Sequence, residues 1–372
     1  MSQRYDVVDA DAHVLEPIDA WQTYIDPKFR EKAPRMIYTD DGGEIFYFCD
    51  EFSLGSRGRT LGGCGSMGAR DGEVSNRIKY LEGRKGGFDP HARIPDMDKE
   101  GVDAVFLYPT LGLFLDVITE PAQAAANCLA YNRWLAEYCS AYPQRLFGAA
   151  ALPMQSVQAA LEEMRYCAAE FGFKACFVRP NPYNGRPLHH KDFYPVWEQA
   201  QEMGMAIAIH GGGAQPNLGA DRFPSKEGFA VEHCVVHTFE MMAAAASFIM
   251  CGICDRFPRL RVGFMEAGGG WMLGWLDRMD RHVDDKGMND AGLTHRPSEL
   301  FARQCFISFE PTEKSLKVIA EAIGPSNILW ASDYPHHDGF WGAAKMIKKM
   351  ALGPEIEAKV LAEGAKRFYS MH

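Results

Sequence analysis

Apolar residues along this chain fall into two alternating kinds of stretch. One kind is short, near-continuous and rich in β-branched or aromatic residues: 5–13 (YDVVDADAH), 102–109 (VDAVFLYP), 146–153 (LFGAAALP), 174–180 (KACFVRP), 205–211 (MAIAIHG), 260–268 (LRVGFMEAG), 305–310 (CFISFE) and 327–336 (NILWASDYPH). Strands covered on both faces read this way, because neither side meets solvent. The other kind is longer and amphipathic, as in PAQAAANCLAYNRWLAEYCSAYP after the second run and SVQAALEEMRYCAAEFG after the third, and predicts helices. Strand and helix in alternation give a parallel sheet, and eight such units favour a (β/α)8 barrel over an open doubly wound sheet. No Gly-x-Gly-x-x-Gly follows the first run, which counts against a dinucleotide-binding sheet. The expected fold is one α/β barrel domain over residues 1–372.

The pattern breaks once, between the first strand and the second. IYTDDGGEIFYF (37–48) alternates about an Asp-Gly-Gly turn as a hairpin does, and a Gly-rich stretch follows it. Twelve of the 36 glycines fall between 37 and 95, so this segment reads as an insertion, either a lid over the site or an arm toward a partner.

The polar positions matter next. Asp9, Asp11 and His13 recur at every second residue of the first run, which on a strand turns all three to one face. Arg179, His210, Glu266 and Asp333 sit at or near the ends of four later runs, and in a barrel those ends open on one mouth. Imidazoles with one or two carboxylates suit zinc, manganese or iron, and burying such groups without an ion would be expensive. A net charge of -10 and a pI near 5.7 leave no basic stripe for phosphates, so the expected partner is a small molecule, with neither nucleic acid nor membrane. MMAAAASFIMCGIC (241–254) reads as a buried helix too short to span a bilayer. MSQRYDVV lacks the marks of an export signal, and ten scattered cysteines fit a reducing cytoplasm, with Cys251 and Cys254 read as buried small residues.

DADAH at the first strand, IAIHGGG at the fifth, FPRLRVGFMEAGGGW around the sixth and WASDYPH at the eighth resemble the amidohydrolase-related group of metal-dependent barrel enzymes. That group includes amino-carboxymuconate-semialdehyde decarboxylase and γ-resorcylate decarboxylase alongside true hydrolases. The resemblance implies that Asp11, His13, His210 and Asp333 hold one divalent ion, zinc first, with manganese or iron as alternatives. Asp11 then replaces a His or Glu of the family pattern, Asp9 stands behind the ligands as a structural residue or a support for a ligating imidazole, and Asp333 also takes a proton from bound water. Decarboxylating relatives carry a His in an HGGG segment where this chain has Glu266 in EAGGG. Acid–base work is therefore expected of Glu266, or of His237 at the opening of the helix HTFEMMAAAASFI. The alternative is a second ion held by Glu16, His237 and Glu266.

Arg179, stiffened by Pro180 and Pro182, is expected to meet a substrate carboxylate or carbonyl, with Tyr108, Trp271 and His336 as further substrate contacts and Trp275 and Phe340 as walls. Backbone N–H groups of HGGGAQPNLG could receive an oxyanion. The missing His makes hydrolysis of an acyl C–N, C–S or C–C bond the expected reaction. Non-oxidative decarboxylation of an aromatic or enoic acid is the alternative, and a barrel that only binds is the reading from another class. A homodimer is expected by resemblance alone.

Overall fold

In the computed structural model, which describes residues 4–67, 77–212, 229–284 and 288–371, each of the eight apolar runs contains a strand. In chain order the strands are β1 (Val8–His13), β2 (Arg35–Tyr38), β3 (Glu44–Phe48), β4 (Phe52–Gly55), β5 (Ala104–Tyr108), β6 (Leu146–Ala151), β7 (Ala175–Val178), β8 (Ala206–His210), β9 (Val262–Met265), β10 (Cys305–Phe309) and β11 (Ile328–Trp330). Eight of them pair in the order β1-β5-β6-β7-β8-β9-β10-β11, the sequential parallel order of a (β/α)8 barrel. Their residues are almost all buried, which is why these runs are apolar rather than alternating. Capping residues fix where the helices start. Ser156 accepts the N–H of Ala159 ahead of helix Val157–Phe171, and Glu120 does the same for Ala122 and Gln123 ahead of Pro121–Ser140.

Two compact units divide the chain: Met1–Phe173 with Ser332–Lys345, and Lys174–Ala331 with Met346–His372. The first holds β1, β5, β6 and a separate antiparallel sheet, β2-β3-β4. The hairpin read at 37–48 is β2 and β3, turning at Gly42 with φ +83°. The third strand, β4, falls partly in the stretch read as Gly-rich loop, and it pairs along β3 from Phe48↔Phe52 to Ile45↔Gly55. A side chain at Gly55 would collide with the Glu44 carbonyl, so that glycine serves a tight strand contact rather than mobility. Phe46 packs on Trp21 and Phe48 on Phe114, which seats the small sheet on its own unit. From Lys85 the chain is already helical, running through Pro90–Glu100.

The second unit carries β7 to β11. Its longest helix runs Phe229–Ile249, so His237 lies well inside it rather than at its opening, a correction to the expected helix start. Residues 233–256 are long and apolar enough by composition to cross a membrane, yet Val236, Met241, Ala244, Ala245, Phe248 and Ile249 are buried in the core. Phe248, for instance, packs edge-on against Trp197. Gly252, at φ +82°, ends this stretch, and Cys254 beyond it faces Cys305 rather than Cys251. Most of HGGGAQPNLG, from residue 213 on, lies outside the described residues.

Candidate active site

In the first unit the site begins on β1, where Asp9, Asp11 and His13 are all buried. The expected strict alternation fails because β1 carries an extra residue between Asp9 and Ala12 relative to β5, a bulge that re-aims side chains. Asp9 consequently supports no imidazole. Its carboxylate accepts the N–H groups of Ser332 (3.1 Å) and Asp11 (3.3 Å) and so ties the strand to a segment 323 residues away. Burial, outweighing these hydrogen bonds, raises its pKa to about 7.

His13 ends the strand. Its Nδ1 lies 2.7 Å from the Pro109 carbonyl, and a carbonyl only accepts, so Nδ1 carries the hydrogen and Nε2 presents a lone pair. That Nε2 faces Asp333 Oδ1 at 3.4 Å and Asp11 Oδ1 at 3.6 Å. Three main-chain contacts hold the arrangement: Asp333 N–H to Asp11 O, His13 N–H to Tyr334 O, and the Arg93 guanidinium to His13 O at 2.7 Å. Arg93 is itself buried and lies over the Tyr334 ring. Asp333 adopts a left-handed backbone, φ +53°, uncommon for a non-glycine residue and frequent where a functional group must be aimed.

His336, expected to touch substrate, instead stands on Asp333. Its Nδ1 is 2.8 Å from Asp333 Oδ1, its Nε2 is 2.9 Å from Thr110 Oγ1, and its ring lies 4.0 Å from that of His13. Tyr108 is buried with its ring 6.3 Å from His13. Glu16 is not available for a second ion. Its two carboxylate oxygens accept the N–H groups of Thr110, Leu111 and Gly112, and burial, against these donors, lifts its pKa to about 7.

The second unit repeats the motif with different parts. His210 ends β8, opposite Met265 of β9, which places Glu266 one residue beyond its strand partner. His210 Nδ1 lies 2.9 Å from the Gly211 carbonyl, so its Nε2 again presents a lone pair, here to Glu266 Oε2 at 3.1 Å. Arg179, expected to bind substrate, directs Nη1 to the carbonyls of His210 and Gly211 and thereby fixes the turn that follows β8. Glu266 also has a left-handed backbone, φ +49°. The turn after it is held by Glu313, which accepts N–H groups from Gly269, Gly270 and Glu310. Trp271 donates its indole N–H to Ala267 and Gly268 carbonyls of the same turn.

His237 Nδ1 is 3.2 Å from the Glu266 carbonyl and 4.0 Å from Glu266 Oε1. Burial, then the neighbouring His233, press its pKa down to about 4, so at neutral pH it is a neutral imidazole. His233 escaped the reading of the sequence, as did Arg93, Thr110 and Glu313. Its signal was present in HCVVH, since residues four apart share a helix face.

The chemistry follows from the two imidazoles. A nitrogen lone pair set 3.1 to 3.6 Å from carboxylate oxygens is repulsive unless a proton or a cation lies among them. Imidazole nitrogens oriented by backbone carbonyls and joined by carboxylates are the donor set of a divalent metal. The residues therefore fit a divalent metal site.

Comparison with known proteins agrees. The chain is 26% identical over 278 residues to 2-amino-3-carboxymuconate-6-semialdehyde decarboxylase of Dictyostelium discoideum, covering 74% of this chain and 75% of that one. It is 26% identical over 295 residues to γ-resorcylate decarboxylase of a Rhizobium species, covering 75% and 86%. Among solved structures, an amidohydrolase from Mycobacterium avium subsp. paratuberculosis superposes over 100% of this chain and 99% of its own with a TM-score of 0.81 at 21% identity. A dihydroxybenzoic acid decarboxylase from a Polaromonas species, with bound manganese and the inhibitor 2-nitroresorcinol, covers 99% and 97% with a TM-score of 0.72 at 17% identity.

Both curated relatives are named as decarboxylases, and this overturns hydrolysis as the expected reaction. That expectation rested on the absence of His at 266, but an imidazole is not missing from the place. His237 reaches the same turn from the helix beside it. The amidohydrolase family profile matches residues 8–371, and this chain is accordingly a member of the amidohydrolase family, an enzyme built on a (β/α)8 barrel.

Proposed function

We propose that this enzyme is a metal-dependent non-oxidative decarboxylase of an aromatic or enoic acid, with Asp11, His13 and Asp333 of the first unit holding the ion. The observation that carries the reading is His13, whose Nε2 faces carboxylates from opposite ends of the chain. The decarboxylase names of the relatives support the reaction, and manganese in the Polaromonas neighbour, with the carboxylate share of the donor set, favours manganese over the zinc first expected. Bound there, the ion would supply positive charge that holds the substrate carboxylate and its neighbouring oxygen in place.

The chain's own groups do the rest. The C–C bond breaks, its electron pair stays on the substrate carbon, CO2 departs, and that carbon takes a proton. Asp333 delivers it, supplied along the 2.8 Å contact with His336, behind which Thr110 Oγ1 closes the row. Tyr108 provides an aromatic wall next to His13, and Trp271, anchored through its indole N–H, provides a fixed face on its own unit. Arg179 is assigned to positioning His210 and not to substrate.

The test is the manganese-loaded full chain with a panel of hydroxybenzoates, beginning with 2,6-dihydroxybenzoate, and of carboxylated enoic acids. CO2 release with uptake of solvent deuterium at the vacated carbon is expected, and Asp333→Asn should lower kcat by about 10²- to 10⁴-fold. Turnover that consumes water and releases no CO2 would sink the reading.

A further inference from the structure

We propose that His233, His237 and Glu266 form a second divalent-cation site, contained within the unit Lys174–Ala331. Each of the three offers a donor atom, and all three atoms lie within 4.8 Å of one another. Around an ion with bonds of about 2.1 Å, tetrahedral ligands sit about 3.4 Å apart, so side-chain rotation alone closes the set. His233 and His237 are spaced i, i+4 on helix Phe229–Ile249, and that spacing points two imidazoles from one helix face toward a common point. Their rings already lie 3.9 Å apart at 38°.

Two further features orient the set. His237 Nδ1 lies 3.2 Å from the main-chain carbonyl of Glu266, and this contact fixes the ring beside the Glu266 carboxylate. Glu266 is held in the left-handed region, with its N–H on Ser308 Oγ, and its carboxylate spans two imidazoles: Oε2 toward His210 at 3.1 Å and Oε1 toward His237 at 4.0 Å. One oxygen thus faces His210 while the other is turned toward His237. Two histidines and a carboxylate are the donor set of zinc, manganese or iron.

This site does not depend on the decarboxylase reading, and metal counting separates the two. Chelator-stripped full-length protein is titrated with MnCl2 and, in parallel, ZnCl2, by calorimetry with elemental analysis of the desalted product. About two ions per chain are expected for the wild type and about one for His233→Gln, with His13→Asn also retaining about one because it removes the other ion. One ion per chain in the wild type overturns the second site whether or not the variants fold. Equal stoichiometry in wild type and His233→Gln overturns it too. His13→Asn matching the wild type instead overturns the ion placed at Asp11, His13 and Asp333.

Discussion

The two units solve the same problem with opposite use of the chain. In the second, His210 and Glu266 come from adjacent strands, β8 and β9, so their meeting follows from the register His210↔Met265 and from a turn clasped by Glu313 only 47 residues further on. In the first, His13 meets Asp333 through contacts that span more than 300 residues, with Asp9 and Asp11 receiving the main-chain N–H groups of Ser332 and Asp333. Both units stiffen the carbonyl behind the ligating histidine with a buried arginine, Arg93 on His13 and Arg179 on the His210–Gly211 turn. Neighbouring strands bring their side chains together by register, whereas the distant segments of the first unit are tied in addition by the main-chain N–H groups of Ser332 and Asp333.

Arg93→Met should cost about 3 kcal/mol or more in urea unfolding, since it leaves the His13 carbonyl buried without its donor and removes a buried cation over Tyr334. A loss no larger than that of Arg179→Met would erase the contrast. Arg179→Met strips the donor from the His210 and Gly211 carbonyls without breaking a tie between distant segments, so it should cost about 1 to 2 kcal/mol and weaken manganese binding about 10- to 100-fold.

Next comes pH. Glu16 has a folded pKa of about 7 against about 4.3 unfolded, so between those values the folded state holds a proton that the unfolded state has released. Stability from that proton is complete below the unfolded value and is lost as pH rises through about 7, a slope of about 1.4 kcal/mol per pH unit. Glu16→Gln should flatten the urea-unfolding profile over that window, with Asp9 supplying the slope that persists. The smallest effect belongs to the second unit: Glu313→Gln should cost about 1 kcal/mol and speed hydrogen exchange at Gly269 and Gly270.

What the sequence disclosed divides along the same line. The eight strands were legible because burial on both faces writes itself as apolar runs, and so were the histidines and carboxylates at the strand ends, because a charged residue in such a run has few other reasons to be there. Partners set by long-range contacts were not. The roles of Asp9 and Glu16 depend on N–H groups of Ser332 and of residues 110–112, which no local spacing reveals. The prolines flanking Arg179 indicate stiffness in the sequence but not the direction of its guanidinium, which meets the carbonyls of His210 and Gly211. β4 was hidden by its short length beside a Gly-rich segment, and His237 was placed at a helix start because the polar residues before it masked eight further helical residues. Reaction type was misjudged for a related reason: one residue identity at 266 stood in for a whole neighbourhood, which the helix carrying His233 and His237 completes from outside the strand.

The return of Ser332–Lys345 to the first unit sets a schedule for biogenesis. A ribosome making this chain releases β1, β5 and β6 early, yet Asp333 emerges only about 320 residues after His13. Until then the nascent first unit exposes Asp9, Asp11 and His13 with their distant partners unmade, and contacts of such sequence separation form late and slowly. Interrupted translation before Asp333 would therefore yield a fragment in which the His13 imidazole lacks the Asp333 carboxylate it faces in the fold.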